Sequence, residues 1–118
     1  MNPVVSRIHS ATFYGGQVTD APNVRQRAPE QWHLCSELGY FKWYDNKAAS
    51  CQNEGNRGQW VNEGQADMAM EIILWLQGSV GVDKLKNRVA IITPYKAQVW
   101  LLQQKIREVA PRMAAFVR

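Results

Sequence analysis

Four side chains belong to types that bind metal ions or act as nucleophiles, His9, His33, Cys35 and Cys51. A structural zinc site needs four such ligands in closely spaced pairs. Here His33 and Cys35 stand together, Cys51 lies well downstream and the fourth ligand would have to be His9, so ordinary packed or exposed side chains are expected. A cysteine nucleophile needs a histidine held against it in space, and sequence proximity of His33 to Cys35 alone does not supply that. Phosphoryl chemistry is equally poorly provided for. A phosphate loop ends in Gly-Lys-Ser/Thr, because backbone N–H groups cradle the phosphates while the lysine and hydroxyl hold the terminal phosphate and Mg²⁺. No Gly-Lys pair occurs; Gly15-Gly16 and Gly78-Ser79-Val80-Gly81 read as turns. No Asp-Glu pair follows an apolar strand, so this chain by itself is not expected to hydrolyse a nucleotide.

What the sequence does supply is positive charge. Fourteen Lys and Arg against ten Asp and Glu give +4 at pH 7, and the isoelectric point is near 9.3, a balance that favours polyanionic partners. Residues 1–60 carry six basic and five acidic groups and residues 61–118 eight and five, so a phosphate-facing surface is expected mainly in the second half. Five tryptophans, Trp32, Trp43, Trp60, Trp75 and Trp100, offer faces on which bases stack, although in a small domain such rings usually fill the core. Trp75 is the clearest core candidate and Trp60 the least constrained.

With 46% apolar and 20% charged residues, the chain has the composition of one small globular domain. Its longest strongly apolar run, Ile72 to Leu76, is far too short to cross a bilayer, and the first residues carry no secretory pattern. Two cysteines cannot build a disulfide framework, so both are expected reduced inside the cell, in nucleus or cytoplasm.

Asn2-Pro3 predicts a capped helix running to about Ser10. Residues 15–31 read as a loop, Tyr40–Tyr44 as an aromatic strand, and Asp45–Gln59 as a second, Gly-rich loop. A helix over 62–77 starts at Asn62 in a capping-box arrangement with Gln65, carries Ala66, Ala69, Met70, Ile73 and Leu76 in one stripe, widened by Met68, Ile72 and Trp75, and is expected to be covered on more than one side. Arg88–Thr93 reads as a parallel strand buried on both faces. Thr93 then caps, and Pro94 opens, a helix in which Val99, Leu102, Ile106 and Val109 recur, with Pro111 ending it. The alternation predicts an α/β layer with helices flanking a mainly parallel sheet, loop-rich over 15–61 and with its α/β core over 62–110.

Several of these residues carry a resemblance. Met1, Pro3 and Ser6, then Phe13-Tyr14-Gly15-Gly16 and Val18, resemble the stretch Arg-Met-His-Pro-x-Ile-Ser … Phe-Tyr-x-Gly-x-Leu that opens the second RecA-like domain of superfamily-one helicases of the up-frameshift, senataxin and Dna-two-like group. Asn62 and Ala66 resemble the family's Asn-x-x-Glu-Ala helix start. Ala90 to Val99, containing Ile91-Ile92-Thr93-Pro94-Tyr95, resembles its Gly-Ile-Ile-Thr-Pro-Tyr-x-Gly-Gln segment most specifically. Asn2 replaces the family's His, Gln65 its Glu and Ala97 its Gly. The later Gly-Phe-Gln-Gly-x-Glu segment and the segment with the catalytic arginine do not occur in this sequence.

The resemblance implies a partial RecA-like fold of the P-loop NTPase class. It implies that ATP and Mg²⁺ belong to the intact helicase, in a cleft shared with a first RecA-like domain that this chain lacks. It implies single-stranded RNA or DNA as partner, held partly at strand ends and helix N-termini. On that reading Thr93, the N–H groups near Tyr95 and Lys96, and Arg25 or Arg27 contact a phosphodiester backbone; the alternative is that Thr93 only caps its helix and Tyr95 and Gln98 pack internally. A helicase piece, a non-enzymatic nucleic-acid-binding or interaction protein that kept the fold, and a truncated gene product all fit. A sheet of two or three strands leaves edges open, so the isolated chain is expected to be marginally stable or prone to aggregate.

Overall fold

The computed structural model describes residues 2–46, 52–53, 60–85 and 88–116, in two compact units, Met1–Tyr44 and Asp45–Arg118. In the first unit, α1 (Pro3–Phe13) starts where the sequence predicts. The Asn2 side chain accepts the Val4 N–H at 2.8 Å, and proline fills a position whose N–H would have no helical partner. The helix outruns the expected end at Ser10 by three residues and stops at a glycine turn. There Gly15 and Gly16 adopt φ of +55° and +80°, a region that costs other residues energy, and the Gly16 N–H returns to the Ser10 carbonyl at 3.0 Å.

The chain then doubles back along α1, held by serine hydroxyls. Val18 donates its N–H to Ser10 Oγ at 3.1 Å, and Ser6 Oγ donates to Asp20 Oδ2 at 2.9 Å. Among the described residues of this unit these two serines alone are buried, and no apolar side chain is. The expected loop over 15–31 contains one helical turn, α2 (Pro22–Arg25), followed by a 3₁₀ turn over Gln31–Leu34. Tyr40–Tyr44 does not form the expected strand. The segment lies outside any ladder and is tied by side chains, Lys42 Nζ donating to the Ser36 carbonyl at 3.0 Å and the Tyr44 hydroxyl to the Glu37 carbonyl. Its aromatic residues satisfy strand propensity, but without a neighbouring strand that propensity has nothing to pair with, and Trp43 keeps 79% of its surface.

The second unit holds the apolar core. Most of the expected loop over 45–59 lies outside the described residues; within it β1 (Gln52–Asn53) pairs antiparallel with β2 (Trp60–Val61), which follows the loop, Gln52 opposite Val61 and Asn53 opposite Trp60. Helix α3 (Glu63–Val80) begins at Asn62, whose side chain accepts the Gln65 N–H at 2.9 Å. It runs through Gly78 and ends at Gly81, whose φ of +89° turns the chain into the short α4 (Val82–Leu85). Ala66, Met70, Ile73, Leu76 and Val80 are buried at helical spacing. They pack against α5 (Lys96–Val109), which buries Leu102 and Ile106, while the closing 3₁₀ turn (Pro111–Phe116) brings Met113 against the same helix. Each buried Val, Leu, Ile or Met among them contributes about 1.5–3 kcal/mol on leaving water. Coverage is one-sided, against expectation, since Leu74 and Trp75 remain 43% and 38% exposed.

The parallel sheet is the principal correction. Within 88–93 only Ile91 makes an isolated bridge, and Ile92 is 90% exposed. A buried parallel strand needs a hydrogen-bonded neighbour about 4.8 Å away along each edge; among the described residues the only sheet is the antiparallel β1–β2 pair. The run 88–93 is thus strand-like in composition but, apart from the Ile91 bridge, joins no ladder among the described residues.

Candidate nucleic-acid interface

The approach to α5 gathers three of the residues singled out by sequence. Thr93 is half-buried and its Oγ1 accepts the Tyr95 N–H at 3.4 Å. It is not the helix cap. Lys96 is the first helical residue and Tyr95 the cap, with φ −104° and ψ 121° and no side-chain cap hydrogen bond, so Pro94 stands outside the helix. Pro94 restricts Thr93 to extended geometry, and the helix starts once that restriction has passed.

Electrostatically this end suits an anion. The first turn of α5 contains no acidic residue, so its leading N–H groups and the positive end of the helix dipole face no countercharge from their own turn. The Thr93 oxygen accepts the Tyr95 N–H, and among the described residues no acceptor takes its hydroxyl proton. Tyr95 is 50% exposed and Lys96 is exposed beside it. The Lys96 ammonium lies over the Trp100 ring, 5.6 Å from its centre, and Trp100 keeps 52% of its surface. Sequence reasoning placed Trp100 among five rings without distinguishing it; the i, i+4 spacing to Lys96 was the available signal.

Beneath this exposed end, Gln98 locks α5 to the start of α3. Its Oε1 accepts the Asn62 N–H at 2.7 Å and its Nε2 donates to the Asn62 carbonyl at 2.9 Å, with both residues buried. The Asn62 N–H is therefore held by Gln98, where the sequence predicted Gln65. Lys105 Nζ reaches Asp67 Oδ1 at 2.7 Å farther along the same pair of helices, and this carboxylate raises the lysine's pKa above its ordinary value.

Arg25 and Arg27 belong to the first unit. Arg25 ends α2 and lines a cavity of about 430 Å³ with Arg7, Ser6 and Asp20. Arg27 lines another, of about 370 Å³, with Glu30, His33 and Tyr40, where the His33 and Tyr40 rings stack at 4.2 Å. His33 Nδ1 accepts the Glu30 N–H at 2.9 Å, and the Cys35 thiol donates to Glu37 Oε2 at 2.6 Å. The Cys35 thiol is thus partnered by a carboxylate and not by the His33 imidazole. Cys51 lies outside the described residues.

The described residues do not fit a magnesium–nucleotide. Gly15 and Gly16 form a helix-ending turn followed by Gln17, Gly78 is inside α3, and no group of three potential metal ligands occurs among the described residues. No phosphoryl-transfer step is assigned to them.

A helical core beside a basic, uncapped helix start is the part of the molecule suited to holding a polyanion, and comparison with known proteins gives its class. The chain belongs to the AAA domain family, whose model matches residues 1–116, and so to the P-loop-NTPase-like folds. It is 26% identical over 109 residues to the probable helicase MAGATAMA 3 of Arabidopsis thaliana, covering 92% of this chain and 13% of that protein. It is 24% identical over 110 residues to helicase SEN1 of Saccharomyces cerevisiae, with 92% of this chain and 5% of the relative covered. Helicase sen1 of Schizosaccharomyces pombe is 20% identical over 107 residues, 91% of this chain and 6% of its own. These matches support the up-frameshift and senataxin type of superfamily-one helicase as the group that the chain resembles. The chain spans a small part of the length of these relatives. No solved structure matches it. Among the described residues no helix is long and apolar enough to cross a membrane.

Proposed function

We propose that the chain is part of an ATP-dependent helicase, a portion of the second RecA-like domain, and that it helps grip single-stranded nucleic acid without hydrolysing nucleotide by itself. One observation carries this reading: the Ile91–Gln98 segment, which most specifically resembles the helicase family, leads into an exposed helix start with a free hydroxyl proton, an uncapped first turn and a lysine. Phosphates are attracted to such a place by dipole and charge together. Thr93 donates its hydroxyl, the leading N–H groups of α5 donate along the helix axis, and Lys96 neutralises a phosphate. Arg25 and Arg27 add phosphate contacts from the first unit. ATP and Mg²⁺ belong to the cleft that the intact helicase forms with its first RecA-like domain, and the strand is RNA or DNA in the nucleus or cytoplasm.

The test is the affinity of the chain for a labelled single strand in rising salt. Each phosphate neutralised contributes a slope of about −0.7 to log K against log salt. Thr93→Ala combined with Lys96→Ala is expected to weaken binding and flatten that slope by about one phosphate's worth. Unchanged affinity and slope would place the contact elsewhere.

A further inference from the structure

The first unit carries two cavities that share Ser6 and Asp20 in their walls. Arg7 and Arg25 line the first of them, of about 430 Å³, together with Ser6 and Asp20. Among the described residues neither arginine is held in an ion pair. Asp20 is half-buried, and Ser6 Oγ donates to its Oδ2 at 2.9 Å. One carboxylate oxygen is thereby fixed, and among the described residues no hydrogen bond engages the other. A second cavity, of about 450 Å³, shares Ser6 and Asp20 in its wall and adds His9 and Tyr14. Their rings stack with centres 5.2 Å apart and planes 24° from parallel, and Tyr14 is 54% exposed.

We propose that this surface binds a ribonucleotide unit, with phosphate on Arg7 and Arg25, base on the Tyr14–His9 face, and the ribose 2′-hydroxyl donating to Asp20. Three physical reasons support the arrangement. Guanidiniums match phosphate oxygens in pairs. An exposed ring accepts any base, without a sequence preference. A carboxylate accepts but cannot donate, so of the groups in a nucleotide it takes a hydroxyl or a base N–H and repels a phosphate; this keeps the phosphate at the arginine end, and with the base on the rings the donor beside Asp20 is the ribose hydroxyl. Asp20 lines both cavities, as the ribose joins phosphate to base. The two positive charges exceed the one negative, so the surface still attracts a polyanion.

This inference rests on the nucleic-acid reading above and sharpens it, since a 2′-hydroxyl is what distinguishes RNA from DNA at a given position. The same chemistry arises from a free nucleotide or from one residue of an RNA strand. The experiment therefore compares labelled adenosine oligomers as RNA, DNA and 2′-O-methyl RNA, and in parallel AMP with 2′-deoxy-AMP, all against the full chain.

The RNA oligomer is expected to bind about tenfold tighter than the DNA and 2′-O-methyl forms, as for loss of one hydrogen bond to a charged group. Asp20→Ala should bring the three to parity, while Arg7→Gln with Arg25→Gln weakens RNA and DNA alike. The comparison of oligomers on the unaltered chain needs no variant to fold, and circular dichroism checks those that are used. If AMP shows the same dependence on its 2′-hydroxyl the source is a free nucleotide; if only the oligomer does, it is a strand. Equal affinity for RNA and DNA, a preference that survives Asp20→Ala, or no binding of any ribose probe overturns the proposal. Equal affinities with a retained effect of Thr93 and Lys96 substitution overturn this site alone. A retained ribose preference without that effect overturns the α5 contact alone.

Discussion

Gln98 shows how one residue settles a question that sequence left open. It packs internally, and by holding both backbone groups of Asn62 it fixes the helix start that carries Lys96. Removing it strands the buried Asn62 N–H, at a cost of about 1–3 kcal/mol, while the Asn62 carbonyl keeps the Ala66 N–H at 3.1 Å. Gln98→Ala is accordingly expected to lower unfolding free energy by about 1–3 kcal/mol in a denaturant titration; a change below about half a kcal/mol would show that water replaces the lost bond to the Asn62 N–H. Glu37 supplies a pH dependence of known sign. The Cys35 thiol hydrogen bond, followed by that of Ser36, holds its carboxyl below the ordinary carboxylate value. A carboxylate lowered on folding adds stability above its unfolded pKa and loses it as pH falls through the folded value. An NMR titration should find Glu37 ionised below the usual range, and Cys35→Ala should return it towards the ordinary value; no movement in that variant would remove the thiol as cause. Lys105 runs the opposite way, its contribution to stability complete below the ordinary lysine pKa and lost as pH rises through the raised value.

Elements were legible where the signal is local. Asn2-Pro3 and Asn62 mark helix starts because a side-chain oxygen and a fixed φ act within one turn, and both caps are present. The stripe on α3 is legible because helical spacing decides which side chains meet the core. What sequence could not decide was pairing. Arg88–Thr93 and Tyr40–Tyr44 are rich in β-branched or aromatic residues, but a strand exists only beside another strand, and this depends on chain remote in sequence. The start of α5 was misplaced by two residues because Thr-Pro is a strong capping signal, and here the restriction that proline imposes on Thr93 prevails. The exposure of Ile92 bears on association. Extended backbone presenting Ile92 to water is a template for self-association, so Ile92→Lys is expected to raise the concentration at which the chain stays monomeric in sedimentation, with little change in helical circular dichroism. An unaltered threshold would assign association to another surface, such as Trp43 and Phe41.

At the scale of the whole molecule, two units differ in what holds them. The second buries an apolar core of which α3 and α5 form the centre, whereas the first buries two serine hydroxyls and is maintained by hydrogen bonds. Charge follows a related division, +1 over 1–60 and +3 over 61–118, so the better-packed unit also carries most of the attraction for phosphate. Family membership was legible from short motifs, since Thr93-Pro94-Tyr95 and the Asn62 helix start fall in family order; the Asp20 cavity was not, because it is made by chain folding back on α1. On the function proposed above, the chain is a strand-holding part of a motor that would take its phosphate-binding loop and metal carboxylates from a first RecA-like domain. Nucleotide turnover with and without single-stranded nucleic acid measures this directly, for the chain alone and for the chain joined to a first RecA-like domain containing Gly-Lys-Ser/Thr. The expected result is no turnover alone and strand-stimulated turnover in the joined protein that falls with Lys96→Ala; nucleotide hydrolysis by the chain alone would contradict it.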